Sequence, residues 1–406
     1  MLSMTERLCD SDHQCLQQMV TDSPWDYEGL VQAIGKEVSD TLGSNAALII
    51  DESGFTKKGN HSVGVARQYN GRLGKVDNCQ VGVFAALAKG DRVSLIDARL
   101  YLPDEWLNAE DRLEKAGVPE MVREKKSKVA LAREMIFAAR ENGVQFSHVC
   151  FDGLYGNAGW LLRELDEAKI CFMADVHRDQ LIYRRDPVST PLPKTSSRGR
   201  TRPQAKATPL EVAQWLQSRP ANTWRRLKTR DAEKGPLVVE VQSARVWLWD
   251  GEESSAHAWH LFVRREVGRP DTVKFSLSNA LATASLKRLA KMQGMRFWIE
   301  HALHEAKSCL GMAQYQVRRW RSWHHHMALV MLAMSFLLKE RLAHRETLKD
   351  MTLSDLVFMI DALMPRKAHD VESVAEIIAE RHRRRQQARE SAYRRHKAQN
   401  ARCYST

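Results

Sequence analysis

An α/β fold built around a mixed β-sheet is the fold class that this sequence predicts, and three observations support it. Apolar runs typical of strands alternate with amphipathic helical patterns between residues 46 and 176. Glycine, asparagine and aspartate separate many of these runs at short intervals. Hydrophobic residues make up 43 % of a 406-residue chain, which is enough to bury a large core.

The first strands follow one another with short turns between them. "AALIID" (46–51) is an unbroken apolar run that ends in a carboxylate, and "HSVGVARQY" (61–69) follows, closed by the turn "NGRLG". "VDNCQVGVFAAL" (76–87) and "RVSLIDARLYL" (92–102) continue the series. We expect these segments to form three or four antiparallel strands.

Helices and strands alternate over the next part of the chain. Helix "KVALAREMIFAAREN" (128–142) has Gly143 as its stop and precedes strand "FSHVCFD" (146–152). Helix "AGWLLRELDEA" (158–168) precedes strand "ICFMAD" (170–175). Such alternation implies that the later strands add in parallel to the first strand. The whole order predicts a ribonuclease-H-like mixed sheet.

Five segments follow from changes in composition along the chain. A basic, proline-punctuated linker begins near residue 183, two alternating strands flank the turn "DGEESS", and helical patterns return from about Ser285. The predicted segments are a short N-terminal helical segment (1–44), the first part of the core (45–183), the basic linker with a β-rich insertion (184–284), the last part of the core (285–340), and a C-terminal helical region with a basic tail (341–406).

The charge balance points to a polyanionic partner. Sixty-two basic residues stand against 50 acidic ones, for a net charge of +12 and a pI near 9.4, which favours nucleic acid over membrane. A basic protein without such a partner remains the alternative. The tail from Arg381 to Lys397 is either a solvated helix or an arm that contacts phosphates.

Compartment and membrane predictions come from cysteines and apolar runs. Seven scattered cysteines without CxxC spacing argue against a disulfide framework or a thiolate zinc site, and suit a reducing cytoplasm. The longest apolar run, Ala328 to Leu338, is shorter than the roughly 18 residues that a membrane helix needs. We expect a buried core helix and no membrane partner.

Two aspartates close neighbouring predicted strands. Asp51 ends the first strand and Asp152, in "FDGLYG", ends the strand expected beside it. Carboxyl ends of parallel strands meet at one sheet edge, so the two side chains should lie close together. A single aspartate at a strand end usually has a turn or capping role, but a pair on adjacent strands favours a functional site.

A third carboxylate comes from the helical pattern "RFWIEHALHEAKSCLG". Arg296, Glu300, His304 and Lys307 fall on one helical stripe beside an apolar face. The alternative is an Arg–Glu pair on a solvated surface, which contributes only about 0.2–0.5 kcal/mol.

Three converging carboxylates would repel one another unless cations lay between them. Mg²⁺ or Mn²⁺ suits such oxygen ligands, and two such ions roughly 4 Å apart support in-line phosphoryl transfer. Nearby basic residues would then hold nucleic-acid phosphates. These residues are Lys57, Lys58, Arg296 and Lys307.

Other patterns carry weaker predictions. "RRWRSW" interleaves Arg318, Arg319 and Arg321 with two tryptophans, which suits phosphate contact and base stacking or simply a core. His301 and His304 lack a third metal ligand, and "HHH" at 324–326 is interpreted as a polar helix start. No phosphate-binding glycine loop or nucleophile elbow is present in the sequence.

The sequence resembles DDE transposases of bacterial insertion sequences. Four motifs carry the resemblance in order: "IIDESGFTKKGNHSVGVARQYNGRLGKVDNCQVGVF", "LYLPDEW", "FDGLYG" and "RFWIEHALHEAKSCLGMAQYQVRRWRSWHHHMALVMLA". The chain is similar to insertion-sequence family 701, a relative of family 4, over roughly Ser23 to Leu338.

The resemblance implies an acidic triad at Asp51, Asp152 and Glu300 that binds two divalent ions. It also implies a ribonuclease-H-like core interrupted before Glu300 by a β-rich insertion. The expected reaction cleaves terminal inverted repeats and joins the freed 3′-hydroxyl to target DNA, with a homodimer acting on double-stranded DNA. Within that reaction Arg296 and Lys307 would hold end phosphates. Trp298 would stack on a displaced base.

Two departures from the family pattern keep alternatives open. The family-4 pattern Y-x2-R-x3-E-x6-K matches Arg296, Glu300 and Lys307, but Gln293 stands in the place of tyrosine. Relatives also carry a longer helical region before "SPWD". A truncated copy, a repurposed DNA-binding protein without recombination and a metal-dependent nuclease therefore remain alternatives.

Overall fold

A ten-stranded mixed sheet with helices dominates the structure, which is a computed structural model. The model describes residues 13–71, 73–188, 207–232, 235–344, 346 and 351–403. The sheet has the order β2-β3-β1-β5-β6-β12-β11-β10-β9, with β4 paired to β3. Its strands are β1 Ala47–Thr56, β2 Ala66–Asn70, β3 Lys75–Lys89, β4 Arg92–Leu100, β5 His148–Phe151, β6 Phe172–Val176, β9 Arg225–Ala232, β10 Gly235–Leu248, β11 His257–Glu266 and β12 Arg269–Ser278. A separate two-stranded sheet pairs β7 Leu181–Ile182 with β8 Leu210–Glu211.

The centre of the sheet lies where the sequence is most continuously apolar. β1 pairs antiparallel with β3 and parallel with β5, and β5 pairs parallel with β6. Ala47 to Ile50 are buried because helices or neighbouring strands cover them on all sides. The predicted mixed α/β sheet is therefore confirmed at this level.

Thirteen α-helices occur in the described residues. They are α1 His13–Thr21, α2 Tyr27–Leu42, α3 Asp104–Leu107, α4 Glu110–Ala116, α5 Lys128–Glu141, α6 Gly153–Gly156, α7 Gly159–Glu167, α8 Val212–Gln217, α9 Leu286–Gly294, α10 Phe297–Cys309, α11 Trp320–Ala343, α12 Leu353–Leu363 and α13 Val371–Cys403. Side-chain caps mark several starts: Ser127 accepts from Ala130 N and Ser285 accepts from Arg288 N.

The region after the linker extends the same sheet. β12 pairs antiparallel with β6, and β11, β10 and β9 follow in order. The hairpin predicted around "DGEESS" is confirmed as the β10–β11 pair. β9 and β12 were not predicted, because "RRLKTRDA" and "RPDTVKFSLS" are too charged to show clear apolar alternation. Most of the proline-rich linker, residues 189–206, lies outside the described residues.

One sequence prediction in this part needs correction, and another is confirmed. The strand predicted from His61 begins only at Ala66, because Gly64 has a φ of +72° and no room for a side chain beside Tyr101 O. The longest apolar run lies in α11, a 24-residue helix whose core-facing residues are buried, as expected. None of the helices in the described ranges is long and apolar enough to cross a membrane.

Contacts divide the chain into two compact units. One consists of the described residues of Pro24–Leu356, and the other of those of Met1–Ser23 and Val357–Thr406. The second unit contains α13, whose described side chains are mostly exposed. The five predicted segments have different boundaries and stay a prediction.

Candidate active site

Asp51 lies inside β1, whereas the sequence predicted it at the end of the strand. β1 continues to Thr56 because β3 remains its antiparallel partner over that length. The parallel ladder with β5 stops earlier, at Ile49 and Cys150. Asp51 therefore lies just beyond the point where the parallel ladder between β1 and β5 ends.

Asp152 lies at the same edge, on the neighbouring strand. It follows β5 directly and caps the short helix α6, where its Oδ1 accepts a hydrogen bond from Leu154 N at 3.0 Å. Its negative charge contributes to a raised pKa at Asp51. The structure thus brings together the two strand-end aspartates, as their neighbouring strands suggested.

Successive side chains of β1 point to opposite faces of the sheet. Asp51 faces Arg296, whose Nη1 lies 3.8 Å from its Oδ2. Glu52 pairs instead with Lys128 of α5, at 2.8 Å. Because side chains alternate between the two faces of the sheet, only Asp51 of the "DE" pair lies on the same side as Arg296.

Gly156 allows the motif "FDGLYG" to pack closely on β6. A Cβ atom at this position would collide with the backbone oxygen of Asp175. Glycine is required here because no side chain fits between α6 and β6. The motif therefore positions Asp152 by bringing the turn after β5 against the next strand.

Arg296 connects Glu300 to the strand-end aspartates. Its Nη2 is ion-paired with Glu300 Oε1 at 2.7 Å, and its Nη1 lies 3.8 Å from Asp51 Oδ2. The Arg296 side chain is 18 % exposed, whereas that of Glu300 is 50 % exposed. One guanidinium thus contacts both carboxylates, and the three predicted acids share one site.

Asp175 is a fourth carboxylate of this site, and the sequence analysis missed it. Arg296 Nε is ion-paired with its Oδ2 at 3.2 Å. Ser276 Oγ donates to its Oδ1 at 2.6 Å, and Gln293 Nε2 donates to the same oxygen at 3.2 Å. The available signal was the strand "ICFMAD", which carries an aspartate near its end as "AALIID" does.

Gln293, which replaces the tyrosine of the family-4 pattern, is 4 % exposed. Its Oε1 accepts from Arg264 Nη1 at 2.9 Å while its amide nitrogen donates to Asp175. The side chain is therefore an internal support for Asp175. It is not placed at the surface as a phosphate contact would be.

The ionisation of the acids reflects burial and mutual repulsion. Burial, and then the charge of Asp152, raises the pKa of Asp51 to about 7, although Arg296 acts in the opposite direction. Burial also raises the pKa of Asp152. Burial would lower the pKa of Arg296, but Glu300, Asp175 and Asp51 outweigh it and raise that pKa.

The three predicted lysines differ in their surroundings. Lys57 donates to Tyr315 O at 3.0 Å and lies 3.4 Å from the centroid of that ring, and burial lowers its pKa to about 8. Lys307 donates to Ser53 Oγ at 2.5 Å, beside the Asp51 strand. Lys58 is exposed. Phosphate contact by each lysine stays a prediction.

The aromatic and arginine-rich candidates lie on and beside α10 and α11. Trp298 is half-buried against the core, with its ring 5.6 Å from that of His301. The three arginines of "RRWRSW" are exposed, whereas Trp320 and Trp323 are buried. The core alternative therefore holds for these two tryptophans. The exposed arginines are Arg318, Arg319 and Arg321.

The histidines give no sign of a metal site. His301 Nδ1 pairs with Glu305 at 3.3 Å. His324 and His325 are buried, which corrects the interpretation of this run as a polar helix start. The His325 ring stacks on Trp25 at 4.0 Å between centroids, and burial lowers the pKa of His324 to about 4. His324 and His325 therefore belong to the core.

Asp51, Asp152, Asp175 and Glu300, here called the acidic site, supply carboxylate oxygens of the kind that a divalent ion requires. Within the described ranges, no group of three or more His, Cys, Asp or Glu side chains is already placed to hold a metal ion. The carboxylates at the site still suit Mg²⁺ or Mn²⁺, and burial and the charge of Asp152 raise the pKa of Asp51 even though Arg296 lies nearby. The residues therefore fit such an ion in type, while Arg296 lies within ion-pair distance of Asp51, Asp175 and Glu300.

Comparisons with known proteins agree with the motifs at this edge. The profile of the DDE superfamily endonucleases matches residues 1–236, more than half of the chain. A probable transposase for insertion sequence element IS701 from Microchaete diplosiphon is 24 % identical over 314 residues, covering 76 % of this chain and 70 % of that protein.

A solved structure of the NurA nuclease from Sulfolobus solfataricus is also similar, at 10 % identity. The match covers 81 % of this chain and 98 % of that chain, with a TM-score of 0.29 that supports no conclusion about fold. The resemblance inferred from the sequence is confirmed by the family profile and the IS701 relative. The chain belongs to the DDE superfamily of endonucleases.

Proposed function

We propose that the chain is an insertion-sequence transposase that cleaves transposon ends and joins the freed 3′-hydroxyl to target DNA. The contact of one guanidinium with Asp51 and Glu300, beside Asp152, is the observation that carries the proposal. The sheet order around β1 fits a ribonuclease-H-like core with β9 to β12 as its insertion. The IS701 relative supports the transposase activity.

The proposed metal ligands are Asp51, Asp152 and Glu300. Two Mg²⁺ or Mn²⁺ ions at these carboxylates would activate a water or a 3′-hydroxyl and stabilise the leaving oxygen. The low exposure of Asp51 would limit access of bulk water to the metal ligands, and the exposure of Glu300 would leave this edge open to DNA. Lys307, which donates to Ser53 of β1, would contact a phosphate of the transposon end.

Double-stranded DNA, with terminal inverted repeats and a target site, is the proposed substrate. Joining two ends requires two active sites, so we propose a homodimer on DNA. The exposed Lys58, Arg318, Arg319 and Arg321 supply further cations for its phosphates.

Helix α13 is a second proposed DNA contact. Eight Arg or Lys residues lie between Arg381 and Lys397, against one Glu. Their 100° steps distribute them around the whole helix, so no face is left to pack on a core. Some are paired internally, as Arg394 is with Glu390. The remaining charge favours binding in a groove between two phosphate backbones.

A triple variant tests this arm. Replacing Arg385, Arg389 and Lys397 with glutamine should reduce the slope of log affinity against log salt by about 3, because each phosphate contact releases roughly one counterion. Filter binding to end DNA over a salt series measures that slope. An unchanged slope would show that the arm does not contact DNA.

One assay separates the transposase from its alternatives. Purified protein is incubated with labelled insertion-sequence end DNA, a target plasmid and Mg²⁺. Joined products support the transposase. Cleaved but unjoined ends support a stand-alone nuclease, and a mobility shift without cleavage supports a DNA-binding protein that no longer recombines.

A further inference from the structure

We propose that Arg296 is the internal counter-ion of the acidic site, and that it gives up Asp51 and Glu300 to divalent cations when these bind. The inference concerns the folded protein without DNA. It rests on the proposed metal ligands, but not on strand cleavage or joining.

The three sides of the guanidinium have different partners. Nε is ion-paired with Asp175 at 3.2 Å, Nη2 is ion-paired with Glu300 at 2.7 Å, and Nη1 lies 3.8 Å from Asp51. A solvated i,i+4 pair would explain only the contact with Glu300. The two additional carboxylates and the low exposure of Arg296, at 18 %, show that its charge is used inside the site.

Asp175 differs from the other partners because its own position is fixed. It accepts hydrogen bonds from Ser276 and Gln293, and Gln293 in turn accepts one from Arg264. Asp51 accepts one hydrogen bond from the adjacent Glu52 N, at 2.7 Å. Arg296 Nε is therefore ion-paired with a carboxylate that is fixed by other groups, whereas the Nη groups lie near acids that have fewer other partners.

Electrostatic repulsion explains why Arg296 and a divalent cation would not occupy the same carboxylates at the same time. Without a metal, one guanidinium partly neutralises Asp51 and Glu300, in a site that also contains Asp152. A divalent ion bound by the same carboxylates would repel the guanidinium and compete for the same oxygens. Because Asp175 keeps its hold on Nε, the released Nη groups stay close enough to contact a phosphate.

Thermal unfolding of the full chain, in EDTA and in saturating Mn²⁺, tests this exchange. In EDTA, Arg296→Gln should lower the melting temperature by several degrees, because it leaves buried carboxylates without their cation. Mn²⁺ should remove at least half of that deficit, because the ion replaces the missing charge. Electron paramagnetic resonance of free Mn²⁺ should show about tenfold tighter binding by the variant.

Two further variants keep the test decisive. Arg296→Lys retains the charge but cannot bridge three carboxylates, so its deficit should be smaller and should also shrink in Mn²⁺. This variant answers the question if Arg296→Gln does not fold. Asp166→Asn, which loses buried hydrogen bonds outside the acidic site, should show the same deficit with and without Mn²⁺.

A deficit of Arg296→Gln that is equal in EDTA and Mn²⁺ would overturn the proposal, as would Mn²⁺ affinity that is unchanged or weaker. A wild-type protein whose stability does not respond to Mn²⁺ would overturn it too. None of these readouts requires DNA. A failure to join DNA ends would therefore refute the transposase function without affecting this inference.

Discussion

Asp51 and Asp166 are two partly buried aspartates of the same unit with opposite surroundings. Asp166, on α7, accepts hydrogen bonds from His257, Trp259 and Asn279, all between 3.0 and 3.1 Å. Asp51 accepts one hydrogen bond, from Glu52 N, and faces other acids across Arg296. Burial alone would raise the pKa of both, but the donors lower that of Asp166 to about 2, whereas that of Asp51 rises to about 7.

The difference distinguishes a structural carboxylate from one that is available for chemistry. The partners of Asp166 hold the β11 and β12 region against α7, so its charge stabilises the fold. The charge of Asp51 is under-compensated by its own chain, which costs stability in the absence of a cation. Strain of this kind is expected where a protein keeps a site for an external ion.

The largest expected effect is the loss of strand cleavage in variants of Asp51 and Asp152. Asp51→Asn and Asp152→Ala should each reduce end cleavage by more than about a thousandfold, because each removes a proposed metal ligand. Binding of end DNA should change little. Single-turnover cleavage and filter binding measure the two properties.

The same Asp51→Asn variant should melt at an equal or higher temperature than wild type in EDTA at pH 8. A folded pKa raised from 3.8 to about 7 lowers the stability progressively between those two pH values, so the full cost is present at pH 8, and asparagine removes it. A marked loss of stability in Asp51→Asn would mean that its charge is satisfied, and the comparison would fail.

Asp166→Asn should show the reverse pattern. It should lower the free energy of unfolding by about 2 kcal/mol, since hydrogen bonds to a charged acceptor each contribute about 1.5–3 kcal/mol and asparagine retains some of them. Cleavage per folded molecule should stay within about twofold of wild type. Urea unfolding gives the stability, and unchanged stability would show that the three donors have alternative partners.

A smaller effect is expected in the pH dependence of stability. The lowered pKa of Asp166 contributes stability above pH 3.8 that is lost as pH falls towards 2. The raised pKa of His257 contributes stability below pH 6.5 that is lost as pH rises through its folded value. The pair should therefore contribute most between about pH 4 and 6.5, by about 1–2 kcal/mol after allowance for the 31 % exposure of Asp166.

Urea unfolding of wild type and Asp166→Asn at several pH values measures this contribution. The difference between the two proteins should be widest inside that window. A difference that is constant from pH 3 to 8 would contradict the assigned ionisation of the pair.

The sequence predicts which acidic residues lie together better than it predicts the contacts that surround them. Asp51 and Asp152 follow apolar runs on neighbouring strands, so local pattern and sheet topology suffice to pair them. Glu300 required the helical stripe and the family resemblance as well. Asp175 carried the same strand-end signal, but its role depends on Ser276 and Gln293, more than 100 residues away.

Long-range packing also explains the predictions that did not hold as made. The Lys57 side chain bonds to Tyr315, 258 residues along the chain, so no local pattern shows that it is half-buried. Asp51 lies inside its strand because β3 is long enough to pair beyond it. β9 and β12 were not predicted because charged residues along these strands interrupt the apolar alternation.

Metal-directed cleavage of the polypeptide tests the central claim most directly. Fe²⁺ bound in place of Mg²⁺, with ascorbate and peroxide, cuts the backbone close to the ion. If Asp51, Asp152 and Glu300 hold the metal, fragments should end near all three residues and should be lost in Asp51→Asn. Fragments that end elsewhere, or that persist unchanged in Asp51→Asn, would contradict a metal site formed by these three carboxylates.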